Sequence, residues 1–150
     1  MNRQNYYLVV MLRWGDPKNH SYVIALTKDG ITASVMGKHD HQYRGNKYDP
    51  EILVVRLREQ EGYWLVEQFD GDREKLVVTV CHDEEEVNQV KQNKRRSQLE
   101  VKKISPENHM SEEDMIDCHK YLSSNYFNNE EQSYLRDLYE PYIRKKLNII

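Results

Sequence analysis

Two apolar runs and the link between them decide how this chain is read: Tyr6-Tyr-Leu-Val-Val-Met-Leu-Arg13, then Trp14-Gly-Asp-Pro-Lys-Asn-His20, then Ser21-Tyr-Val-Ile-Ala-Leu-Thr27. An unbroken β-rich run such as Tyr6–Leu12 reads as a strand covered on both faces, or nearly so. Gly15-Asp16-Pro17 with Asn19 is turn chemistry, because glycine admits positive φ and proline presets its own. The second run is therefore expected antiparallel to the first. The link is long for a tight hairpin, which leaves it room to carry a function.

Downstream, Thr27-Lys28-Asp29-Gly30 offers capping residues, and Ile31, Val35, Met36, His39 and Tyr43 recur at steps of three and four on one helical stripe. Gly37 inside that helix costs about 1 kcal/mol against alanine. Gly45 is placed to end the helix. After the polar turn Tyr43-Arg-Gly-Asn-Lys-Tyr-Asp-Pro50, a third strand is expected at Glu51–Arg58. The order strand, strand, helix, strand then recurs. Tyr63-Trp-Leu-Val66 reads as a strand, Asp70-Gly71-Asp72 as a hairpin turn, and Leu76–Cys81 as a buried strand. Asp83 with Glu86 suggests a capping box, with the glutamates in the first turn and Lys91, Lys94, Arg95 and Arg96 near the end. Leu99–Ile104 alternates apolar and charged residues as a half-exposed strand does. The expected fold is α+β, with two ββαβ-like units, residues 5–58 and 63–104, as an internal repeat within a domain spanning 1–104. Their strands would join one antiparallel or mixed sheet with the helices on one face.

Beyond Ser105-Pro106 the composition turns helical, so residues 105–150 are expected as a C-terminal helical extension. Ser111 and Asp114 suggest a second capping box, ahead of a stripe of Met115, Cys118, His119, Leu122 and Tyr126. Asn128-Asn129 breaks that helix. The next carries Tyr134, Leu135, Leu138, Tyr142, Ile143 and Leu147, with Pro141 expected to kink or restart it. The hairpin would cover the sheet or hold a partner.

Composition bounds the function. The formal net charge of −3 gives no argument for nucleic acid. No apolar run approaches the roughly 20 residues that span a membrane, and no signal-peptide layout precedes the first strand. Cys81 and Cys118 lie far apart in apolar segments, which suits a reduced cytoplasmic protein without a disulfide framework. Eleven tyrosines against two phenylalanines point to partly wet surfaces or interfaces, since tyrosine joins an apolar body to a polar tip.

Chemistry-bearing patterns are sparse. His39 and His41 project about 200° apart on a helix, and no Cys or second carboxylate stands at ligand spacing, so no metal or cofactor is expected. Cys81-His82 and Cys118-His119 are sequence neighbours, which rarely meet on a regular element. The glycines are scattered singly and cradle no phosphate. No catalytic residue is assigned; a small enzyme would need His20, His39 or His41 to meet a carboxylate. Lys91, Lys94, Arg95, Arg96, Lys102 and Lys103 would serve a nucleic-acid reading, but no aromatic stacking set accompanies them. The loops flanking the first helix hold Trp14, His20, Tyr43, Arg44, Lys47 and Tyr48. Trp, Tyr and Arg are the types that dominate interface energetics, so these six are the expected partner-binding residues. Self-association through a strand edge or the C-terminal helices would make a homodimer.

Trp14-Gly-Asp, His20-Ser-Tyr-Val23 and Tyr43-Arg-Gly-Asn-Lys-Tyr48, spaced around a strand and a helix, resemble a group of small proteins from phages and other mobile elements. The resemblance covers residues 5–58 only, and Gly45-Asn46 stands where the group carries a glycine pair. It carries over no catalytic residue. It implies a setting in which a phage accessory protein acts in the host cytoplasm by binding a host protein, including components of host defence.

Overall fold

The computed structural model describes residues 3–13, 21–70, 75–93, 99–107, 110–119 and 126–146. Trp14 and His20 therefore lie outside the described residues, as do Lys94, Arg95 and Arg96.

The strand–strand–helix–strand order is present twice. β1 (Arg3–Arg13), β2 (Tyr22–Thr27), α1 (Gly30–Tyr43) and β3 (Tyr48–Arg58) form the first unit. β4 (Tyr63–Asp70), β5 (Lys75–Cys81), α2 (Glu84–Asn93) and β6 (Leu99–Ile104) form the second. In each, the first strand is central, its hairpin partner lies on one side, and the strand after the helix pairs antiparallel on the other. The chain is α+β, as expected. The expectation of one joint sheet is corrected: there are two three-stranded sheets, β2-β1-β3 and β5-β4-β6.

The sheets bury their faces against each other. Tyr6, Leu8 and Val10 from β1 share a core with Leu57 from β3 and with Tyr63, Leu65 and Leu76 from the second sheet. The rings of Tyr6 and Tyr63 meet edge to face at 5.5 Å. The intervening residues of β1, Val9 and Met11, turn to the opposite face and pack with Ala33, Val35 and Met36 of α1. That two-sided cover explains the unbroken apolar run of β1. Val66 and Cys81 likewise leave the inter-sheet core to pack with Val87 of α2. Each helix covers one face of its own sheet, the face turned away from the other sheet. At the seam, the Lys102 ammonium lies 2.8 Å from the buried carboxylate of Glu67 and donates to the carbonyl of Val23 in the first sheet.

Local chemistry accounts for the helices. Asp29 caps α1 through the N–H of Ile31 and accepts from Thr32 Oγ1. Gly37 is where α1 presses on β3: a Cβ there would sit 2.6 Å from Pro50 Cβ, so only glycine permits the approach. Thr32, Ala33, Met36 and Gly37 thus form much of the buried face, and Tyr43, expected on the stripe, stands 71% exposed. Asp83 caps α2 through the N–H of Glu86, but Glu86 does not close a box; it takes the N–H and ring of His82 instead.

The C-terminal part adds α3 (Glu112–His119) and α4 (Asn129–Lys146), which runs on through Pro141. Met110, Met115, Cys118, Phe127 and Leu135 join the core on the α1 side of the first sheet. The extension therefore packs against α1 and not on an open sheet face. Among the described residues no helix is long and apolar enough to cross a membrane.

Candidate functional site

The turn after α1 is built by a helix stop. Gly45 and Asn46 hold left-handed φ of 71° and 65°. The Asn46 N–H returns to His41 O at 2.8 Å and the Gly45 N–H to Gln42 O at 3.1 Å, the paired bonds of a Schellman stop. Tyr43, Arg44 and Lys47 are thereby held exposed on a fixed backbone. The stop is the one that Gly45 signalled in the sequence.

Beneath the turn lies a polar knot. Asp40 Oδ2 accepts from the Tyr22 hydroxyl at 2.6 Å, and Asp40 Oδ1 is 3.5 Å from Arg44 Nε. The Arg44 guanidinium stands 4.9 Å over the Tyr22 ring and 5.9 Å from that of Tyr48, while Arg13 covers Tyr48 at 5.5 Å. Burial, then the hydrogen bond to Asp40, pushes the Tyr22 phenol well above its ordinary range, so it remains a neutral donor. Tyr48 is 9% exposed and packs against Tyr22 with ring centroids 5.1 Å apart. Of the expected partner-binding residues, then, Tyr43, Arg44 and Lys47 share an exposed turn, and Tyr48 is part of the floor that supports it.

Beside the turn a cleft of about 280 Å³ opens between α1, β2 and α3. Ile24, Ala25 and Met36 form its apolar lining; His39, Asp40, Tyr43, Glu107 and Asp114 supply the polar lining. The Tyr43 ring stacks over His39 at 6.0 Å. His39 Nδ1 is 3.8 Å from Asp114 and Nε2 is 3.7 Å from Asp117, both beyond hydrogen-bond reach. His41 points elsewhere, with Nδ1 against the Tyr48 carbonyl and 3.5 Å from Asp49. Among the described residues no set of three His, Cys, Asp or Glu side chains converges as a metal site.

The thiols are poor nucleophiles. Burial, then the charges of Asp114 and Asp117, pushes Cys118 up to about 12; burial, then Glu86 and Asp83, raises Cys81. Lys102 is committed to the inter-sheet seam, and Lys103 lies 4.6 Å over the Trp64 ring.

The residue that sequence reasoning missed is Glu131. It is 2% exposed and accepts from Lys38 Nζ and Ser34 Oγ, each at 2.6 Å, and from the Asn128 N–H at 2.9 Å. The Glu131 N–H returns to Asn128 Oδ1 at 2.9 Å, so the two close a capping box and Asn128 starts α4. The spacing Asn128-x-x-Glu131 was the available signal. No family model, no curated protein and no solved structure matches this chain.

Proposed function

We propose that the protein acts by binding a macromolecular partner, a host protein in the setting that the resemblance to phage accessory proteins implies. The observation that supports it best is Tyr43: a large aromatic side chain 71% exposed, on a backbone held by two return hydrogen bonds, beside a cleft. Ordered aromatic and guanidinium groups bind with little entropy to lose, which is why Tyr and Arg anchor interfaces. The cleft, at about 280 Å³, is at the small end of the range of ligand pockets and has room for one projecting side chain.

The test is capture of partners from host lysate by the wild-type protein and by Tyr43→Ala and Arg44→Ala, with unfolding midpoints measured alongside. The wild type should recover a protein that both variants lose while Tyr43→Ala keeps its stability. A partner retained by both variants would refute this site.

A further inference from the structure

His39 is 9% exposed, and both nitrogens of its ring face acids of α3. Nδ1 is turned to Asp114 and Nε2 to Asp117, and Nε2 has no hydrogen-bond partner among the described residues. Asp114 and Asp117 stand three positions apart on one face of α3. A single element therefore carries a carboxylate to each side of the ring.

A neutral imidazole cannot serve both acids. It has one N–H and one bare lone pair, so in either tautomer one nitrogen sets its lone pair against a carboxylate. Only the imidazolium, with an N–H on each nitrogen, offers a donor to Asp114 and to Asp117 at once. Burying a charge is costly unless it is paired and hydrogen-bonded, and here the acids that would pair with it are in place. The separations of 3.8 and 3.7 Å are about 1 Å longer than a charge-assisted hydrogen bond. The side chains of Asp114 and Asp117 are 45% and 40% exposed, which leaves them room to swing inward.

The other groups about the ring leave this role to the two acids. On α1, Asp40 is held by Tyr22 and Arg44, and Lys38 is turned to Glu131. The Tyr43 ring stacks over His39 and presents it with a face that favours a cation. On α3, burial and the same two acids keep the Cys118 thiol neutral. Glu107 lines the same cleft and adds to the negative charge around it.

We propose that a proton taken up by His39 closes the ring onto Asp114 and Asp117, clasping α3 to α1 and narrowing the cleft between them. Histidine ordinarily changes charge between about pH 5 and pH 8, so mild acidification operates the clasp. The clasp stabilises the fold in acid, and that contribution is lost as the pH rises. Asp114 lines the cleft, so its inward turn leaves less room for a partner's side chain. That last consequence rests on the partner-binding reading; the clasp itself does not, and its test uses no partner.

Unfolding midpoints of the wild type and of Asp114→Asn/Asp117→Asn, each with and without His39→Gln, are compared at about pH 5.5 and about pH 8. With His39 intact, the loss caused by the double substitution should be about 2–4 °C larger at the lower pH. With His39→Gln the loss should be equal at both, which separates the clasp from the helix-dipole effect of the two acids. A loss that does not grow in acid, or one that grows equally without His39, would overturn the proposal. Nuclear magnetic resonance of the wild type needs no variant to fold. At about pH 5.5 both His39 ring N–H protons should exchange slowly with water. Ring protons that exchange as fast as those of an exposed histidine would overturn the proposal equally.

Discussion

Glu131→Gln removes one charge from a joint between the C-terminal helices and the first unit while keeping size and shape. The carboxylate accepts from Lys38 and the Asn128 N–H on one oxygen and from the Ser34 hydroxyl on the other. A glutamine can keep its oxygen on Lys38 and Asn128 and donate its NH₂ to Ser34 Oγ, which accepts as well as donates, so what is lost is the counter-ion of Lys38. Breaking a buried pair from one side costs about 3–5 kcal/mol. Lys38 is 32% exposed and keeps part of its hydration, so the lower end, about 3 kcal/mol, is expected. For a chain of this size that lowers Tm by about 6–12 °C. The effect has a defined pH dependence. Burial alone would raise the Glu131 pKa, but the bonds from Lys38, Ser34 and Asn128 outweigh it and hold the group below its ordinary range. A depressed folded pKa stabilises fully above the unfolded value of about 4.3 and progressively less as pH falls through the folded value. Urea unfolding of wild type and variant should therefore show a constant gap from pH 7 down to about 4.5 and a narrowing gap below it. A gap under about 1 kcal/mol at pH 7, or one that is the same at about pH 3.5, would refute the reasoning.

Gly37→Ala should lower stability by about 1–2 kcal/mol in urea unfolding, because the contact with Pro50 Cβ outweighs a helix-propensity gain of about 1 kcal/mol; a stabilised variant would mean the backbone yields. Lys102→Met should cost about 3 kcal/mol by leaving Glu67 buried and unpaired, and adding Glu67→Gln should recover most of it; additive losses in the double variant would count against a coupled pair.

Much of the secondary structure was legible because the signals were local. The unbroken run of β1, the caps at Asp29, Asp83 and Ser111, and the stop at Gly45 each report on a few neighbouring residues. Stacking was not legible: apolar alternation marks a buried face without saying whether a helix or another sheet covers it. The two Tyr6–Arg58 and Tyr63–Ile104 units therefore read equally well as one sheet or two. Nothing local marks Glu131 as buried, because its partners Ser34 and Lys38 are distant in sequence. The helix stop that exposes Arg44 was legible from turn chemistry, whereas Tyr43 also fell on the apolar stripe of the helix and its exposure was not legible, and the place of Tyr48 depends on Tyr22 across the unit. The apolar letters of Ile52–Val54 conceal their exposure, which is set by where the covering layers end.

The face-to-face burial of the two sheets has a consequence for biosynthesis. Tyr6, Leu8, Val10 and Leu26 are covered by residues from β4 and β5 and, at the far end, by Ile104 of β6. A ribosome adding about 5–20 residues per second takes on the order of several seconds to pass from Arg58 to Ile104. Through that interval the newly made first unit carries an uncovered apolar face. The first half of this chain must therefore wait for its second, and truncation between Arg58 and Ile104 yields an aggregation-prone fragment.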